Sequence, residues 1–184
     1  MKTDIPIIET SRLVLRPFTE GDVDSFHDIL CEPGMLRYFP RTEPPPRDQV
    51  EAWVDKVLSH WEERGYGLWA VEPKSQRVLV GRCGLQYLPD TDEIEADGLL
   101  STPFWNKGYA TEAADAALGY GFNNPELVSV VGIVHPDNAA SRRVLEKIGM
   151  RFTERKPYFG MDCLRYAIDR ERYLKTHDPD EGGL

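Results

Sequence analysis

A change of hydrophobic period across one short loop constrains this chain more than any other feature. The segment Glu95-Ala96-Asp97-Gly98-Leu99-Leu100 reads as a strand, and Pro103 closes it off. From Ala110 onward, Ala113, Ala114, Ala117, Leu118, Gly121 and Phe122 recur at helical spacing. The intervening Trp105-Asn106-Lys107-Gly108-Tyr109-Ala110-Thr111-Glu112 therefore delivers a strand into the N-terminus of a helix. Gly108 and Ala110 let a ligand approach the backbone closely. The first N–H groups of a helix have no intrahelical acceptor and carry the positive end of its dipole, and Lys107 adds a full charge. An anion site for a phosphate or pyrophosphate is the expectation. Spacing alone leaves a plain strand–helix connection as the alternative. No G-x-G-x-x-G follows a strand and no G-x-x-x-x-G-K-[ST] occurs, which excludes two common phosphate loops.

The rest of the chain supplies further strands and helices in an α/β order. Leu13, Val14, Leu15 and Phe18 surround Arg12 and Arg16 in a first strand. Thr19 stands as N-cap of a helix, with Asp22 at its third position and an apolar face of Val23, Phe26, Ile29 and Leu30. Asp48 opens a longer helix with a stripe of Val50, Trp53, Val54, Val57, Leu58 and Trp61, ended by Gly65. Strand-like runs follow at 67–71, 78–88 and 94–100, separated by turn-rich breaks as an antiparallel meander requires. Residues 128–134 form an almost continuous apolar run, as a strand buried on both faces would. Asn138 caps the next helix, Gly149 stops it, and 151–158 with 164–168 read as a closing hairpin. The expected fold is a mixed, mostly antiparallel central sheet flanked by helices. One domain over residues 1–176 and a flexible tail over 177–184 are expected from a length of 184 residues.

Charge and cysteine usage narrow the function classes. Against 31 acidic residues stand 22 Lys and Arg, a formal net charge of -9 that argues against broad nucleic-acid binding. The 3 cysteines, Cys31, Cys83 and Cys163, show no C-x-x-C and suggest neither a zinc site nor a disulfide framework; Cys83 and Cys163 read as buried thiols. Residues 1–6 lack a signal-peptide core and no apolar run reaches the length of a membrane span, so a cytoplasmic protein without a membrane partner is expected. Glu93, Glu95 and Asp97 alternate and so share a strand face, where carboxylates act as bases or simply face solvent. The calcium-loop pattern fails at Ile94 and Glu95, and no metal is expected. His135, at the end of the apolar strand, titrates near neutral pH when free, but a structural role is the stronger reading.

The loop resembles the acyl-CoA-binding motif [QR]-x-x-G-x-[GA] of the GNAT acetyltransferase superfamily, with Gly108 and Ala110 at its small positions. Trp105 departs from the usual Gln or Arg, but W-x-K-G-Y-A-T-E-A is similar to the ribosomal-protein N-acetyltransferase (Rim-type) branch. Thr10-Ser11-Arg12-Leu13-Val14-Leu15-Arg16-Pro17 looks like that branch's first strand, and His135 to Ser141 with Glu146 to Met150 like its second cofactor motif. The resemblance implies the GNAT fold and acetyl-CoA as acetyl donor. It also implies cofactor contacts from Leu100, Trp105, Asn106, Lys107, Gly108, Tyr109, Ala110 and Thr111, and from Asn138 and Ser141. It implies direct attack by a primary amine, either a protein N-terminus or a small molecule, with Glu95 as general base. It places Met35, Tyr38, Phe39 and Trp53 as walls of the acceptor pocket, in a monomer or homodimer. The acidic strand face mildly favours a cationic acceptor. Leu145 occupies the position where many members carry a general-acid tyrosine, so Tyr158, Tyr166 or solvent would have to protonate the thiolate. That one departure favours the competing reading, a non-catalytic acyl-CoA-binding module.

Overall fold

The computed structural model describes residues 4–177. Its elements run β1 (Ile8–Glu9), β2 (Leu13–Arg16), α1 (Val23–Leu30), α2 (Arg47–Arg64), β3 (Leu68–Pro73), β4 (Gly81–Leu88), β5 (Glu93–Leu100), α3 (Tyr109–Phe122), β6 (Ser129–Val134), α4 (Ala139–Lys147), β7 (Arg151–Tyr158), β8 (Met161–Asp169) and α5 (Arg170–Thr176). The strands form an 8-stranded sheet in the order β1-β2-β3-β4-β5-β6-β8-β7. Every neighbouring pair is antiparallel except β5 and β6. The mixed, mostly antiparallel sheet with flanking helices is the fold that the periodicity predicts.

Local chemistry sets the ends of these elements. Asp22 accepts hydrogen bonds from the Thr19 backbone N–H at 2.7 Å and the Thr19 hydroxyl at 2.9 Å, and the Arg16 fork holds both its oxygens at 2.7 and 2.8 Å. A 3-10 turn at Glu20–Asp22 therefore leads into α1. Gly65, at φ 72°, ends α2 in a left-handed cap, as expected. The helix begins at Arg47, one residue before Asp48.

Register fixes what each sheet face carries. Gln86 sits opposite Glu95, so alternation places Arg82 and Gln86 on the face of Glu95 and Asp97. Helices α1 and α2 cover this face: Phe26 stacks on Trp53 at 4.8 Å, and the Arg82 guanidinium lies 5.5 Å from the Trp53 ring centre. Helix α3 covers the other face, where a methyl on Gly121 would collide with Leu85. Helix α4 lies there too, with Leu145 against Gly132 of β6. Cys83 and Cys163 are buried, as expected.

Several boundaries differ from the sequence pattern. Val78 is 48% exposed, and the strand of that run starts only at Gly81. β1 has 2 residues, too few to show a period, and β8 starts at Met161 rather than Leu164. Helix α5 carries a buried Tyr173 and an exposed Leu174 among polar residues and is started by Asp169, which accepts from the Arg172 N–H at 2.7 Å. The expected tail lies outside the described residues from 178 onward. Its first residue, His177, is held: its ring stacks on Tyr173 at 4.0 Å and its Nε2 lies 3.0 Å from Asp115.

Candidate active site

The parallel pair β5–β6 is where the sheet opens. Glu95 opposite Val131 is its single pair in register among the described residues. Parallel strands end on the same edge. The loops that follow β5 and β6 therefore emerge together there, and each delivers the N-terminus of a helix, α3 or α4. The N-termini of two helices thus border one opening.

Glu95 sits at the root of the opening and is 5% exposed. Its Oε2 accepts from Gln86 Nε2 at 2.7 Å, and its carboxylate also accepts from the Ile133 backbone N–H of the diverging strand. Burial pushes its pKa up to about 7, and Glu93 adds to this; the hydrogen bonds from Gln86 and Ile133 and the charge of Arg82 only partly offset the rise. The other two carboxylates of the face are already neutralised. Glu93 accepts from the Tyr158 hydroxyl and from Arg165 Nε, each at 2.7 Å, and Asp97 pairs with Arg82. Two of the three carboxylates that suggested a cationic acceptor thus already have arginine partners within the protein. The sequence could not show this, because Arg82 and Arg165 lie on other strands.

The loop 105–112 turns sharply into α3. Gly108 has φ 80°, a left-handed backbone that suits glycine, and Asn106 shares it at φ 57°. Helix α3 starts at once, with the Glu112 N–H bonded to the Gly108 carbonyl at 3.0 Å. The N–H groups of Tyr109, Ala110 and Thr111 therefore precede the first helical acceptor. Trp105 is 46% exposed, and its indole N–H donates to the Leu100 carbonyl at 2.5 Å, tying the loop to the end of β5. A recess of about 380 Å³ is lined by Gly108, Thr111, Glu112, Asp115, Lys147, Ile148 and His177.

A clasp between the two ends of the motif set was not visible in sequence. Glu112 accepts from the Thr10 hydroxyl at 2.6 Å, the Ser11 hydroxyl at 3.0 Å, the Arg12 N–H at 2.9 Å and Arg12 Nε at 2.6 Å. Arg12 Nη1 in turn donates to the Lys107 carbonyl at 2.8 Å, and the guanidinium covers the Tyr109 ring at 4.6 Å. Burial pushes the Glu112 carboxyl up, but the bonds from Thr10, Arg12 and Ser11 prevail and hold it at about 2. Such a group contributes stability above its unfolded pKa and loses it as pH falls through the folded value. Glu112→Ala is therefore expected to cost about 2–3 kcal/mol at pH 7 and much less near pH 2, read from urea unfolding at the two pH values. A constant difference across that range would remove the clasp as an electrostatic tie.

The residues around α4 resolve differently. Asn138 Oδ1 accepts from the Ser141 N–H at 3.1 Å, so the expected N-cap is present. His135 Nδ1 accepts from the Asp137 N–H at 3.2 Å, and its ring stacks on Tyr38 at 5.3 Å; the stronger, structural reading of this histidine holds. The Tyr166 hydroxyl bonds Glu146 at 3.2 Å, and that of Tyr158 bonds Glu93, so both are engaged within the protein. Leu145 is 8% exposed. Leu145→Ala is expected to cost about 2–5 kcal/mol of stability and to leave kcat of the folded fraction almost unchanged. A kcat loss larger than tenfold in folded protein would give this side chain a role beyond packing.

Under α1 and α2 lies a cavity of about 550 Å³ whose floor includes Arg82 and Leu99 and whose walls include Phe26, Leu36, Phe39, Val50 and Trp53. Of the four expected walls, Phe39 and Trp53 line it. Met35 is instead buried in the core and Tyr38 is turned to His135.

Comparison with known proteins gives this geometry its family. A protein from Bacillus subtilis (strain 168), "Uncharacterized protein YkkB", is 32% identical over 79% of this chain and 85% of its own. The "FsC-acetyl coenzyme A-N(2)-transacetylase" of Aspergillus fumigatus is 26% identical over 95% of this chain and 80% of its own. The crystal structure of an acetyltransferase from Agrobacterium tumefaciens superposes with a TM-score of 0.79 at 26% identity, covering 91% of this chain and 96% of that one. The model of the acetyltransferase (GNAT) domain matches residues 12–151. The opening between β5 and β6, with its buried carboxylate and its small-residue cradle, thus stands in a chain that belongs to the GNAT family and is an acetyl-CoA-dependent acyltransferase.

Proposed function

We propose that this protein transfers an acetyl group from acetyl-CoA to a primary amine by direct attack, with residues 1–176 as one catalytic domain. The observation that carries the reading is Glu95: a carboxylate buried at the point where the sheet opens, with its pKa raised to about 7. A base poised near the working pH is the most effective one, and Glu95 takes the ammonium proton either directly or through a water. The loop from Trp105 through Asn106, Lys107, Gly108, Tyr109 and Ala110 to Thr111 fits a pyrophosphate: a left-handed glycine, unpaired helix N–H groups and one lysine meet there. Leu100, at the end of β5, and Asn138 and Ser141, at the start of α4, hold the pantetheine arm in this reading. When bound, acetyl-CoA supplies the activated acetyl thioester. The hydroxyls of Tyr158 and Tyr166 are engaged elsewhere, so solvent is the proton source for the leaving thiol in this reading. The Rim-like motif supports a protein N-terminus as one acceptor class and a small-molecule amine as the other.

Release of free thiol from acetyl-CoA tests this directly. Release should depend on an added primary amine, and calorimetry should show CoA binding. Saturable CoA binding with no release for arylalkylamines, polyamines or peptides with free N-termini would overturn amine acetylation.

A further inference from the structure

The cavity under α1 and α2 has an electrical asymmetry that the strand face does not. Its walls are apolar and buried, with Phe26 and Val50 at 1%, Leu99 at 6% and Leu36 at 8% exposure. Its floor belongs to the sheet face that carries Glu95, and there Arg82 is already paired with Asp97. Its exposed rim carries Arg41, Lys56 and Glu43. Arg41 bonds only the neutral Gln49, at 3.1 Å, and neither Arg41 nor Lys56 has a carboxylate in ion-pair range among the described residues. Two cations against one carboxylate leave the rim net positive on a chain whose formal charge is -9. Like charge at the rim disfavours a polycation, and an anion placed there is attracted.

We propose that the acceptor is a small amine with an apolar, ring-sized body and an anionic group, such as a carboxylate, at the end away from the amine. This rests on the amine-acetylation reading above and narrows its substrate class. The amine end lies toward the Glu95 face, the body fills the aromatic walls, and the anion meets Arg41 and Lys56 at the rim. A cavity of about 550 Å³ is the size of a small-molecule site, which favours this over a protein N-terminus.

A matched series tests it: 4-(aminomethyl)benzoate, benzylamine and 4-(aminomethyl)benzylamine differ only in the para group, which is anionic, neutral or cationic. Thiol release should give kcat/KM highest for the benzoate and at least tenfold lower for the diamine, about 1.4 kcal/mol. In the doubly substituted Arg41→Gln, Lys56→Gln protein, that ratio should fall toward one, through KM. Preference for the diamine, an unchanged ratio in the variant, or better use of a peptide N-terminus than of the benzoate would each overturn the proposal. Calorimetry with 4-methylbenzoate and 4-methylbenzyl alcohol reads the same preference without turnover. If the acid binds at least tenfold tighter while none of the three amines is acetylated, the pocket chemistry stands and amine acetylation fails. If neither compound is preferred, the pocket chemistry fails on its own.

Discussion

Glu95→Gln is expected to lower kcat by about 10²–10⁴-fold while CoA affinity stays unchanged, because the change removes basicity and keeps the shape. The pH profile should identify the group. In the parent protein, kcat/KM rises with pH through about 7 as Glu95 ionises, and in the variant that limb should disappear. Stability supplies a second, independent reading. The folded protein holds the Glu95 proton more tightly than the unfolded chain does, so stability falls as pH rises from the ordinary carboxylate range through about 7. At about 1.4 kcal/mol per unit, the full penalty above neutral pH is on the order of 3 kcal/mol. Gln escapes it, so the Tm of the variant relative to the parent should be higher at pH 8 than at pH 5. Full activity in the variant would exclude Glu95 as the base. Asp97, held by Arg82, and His135, stacked on Tyr38, would then have to leave those partners to serve.

Gly108→Val should weaken CoA binding at least tenfold, about 1.4 kcal/mol, in calorimetry. Two effects combine. A β-branched residue is strained at φ 80°, and the added Cβ would lie 3.2 Å from Arg12 Nη2, the guanidinium that holds the Lys107 carbonyl. Gly108→Asn separates strain from obstruction, because Asn tolerates a left-handed backbone while still projecting atoms into the cradle. That variant should keep a Tm close to the parent's and still lose affinity. Unchanged CoA affinity in both variants, with the fold intact, would exclude this loop as the pyrophosphate site.

The sequence was most legible where chemistry is local. The change of period around residue 105, the cap at Asn138 and the stop at Gly65 each depend on neighbours a few residues away, and all three stand. Asp97 shows where legibility ended. Alternation placed it correctly beside Glu95, but its charge is cancelled by Arg82, and only the β4–β5 register brings the two together. Tyr38 shows the same limit: it lies in the expected segment, but its stacking partner comes from the end of β6. Helix α5 escaped because Tyr173 and Leu174 are adjacent in sequence, and two neighbouring apolar residues make no helical stripe. The roles of Thr10, Ser11 and Glu112 carried a faint local signal, two hydroxyls before an arginine and a carboxylate in a helix's first turn, but nothing linear joins them.

That clasp has a consequence for how the cradle comes into being. The Arg12 N–H reaches Glu112 across a separation of 100 residues, so the closure it makes is among the least local in the molecule. Residues 10–12 are synthesised before α3, so their bonds to Glu112 form only after α3 has been made and docked on the sheet. The turn into α3 is thus braced only when residues 10–12 meet a helix synthesised about 100 residues later. A ligand that grips the cradle rewards only chains that have completed this closure, and so acts as a selective brace for the finished topology.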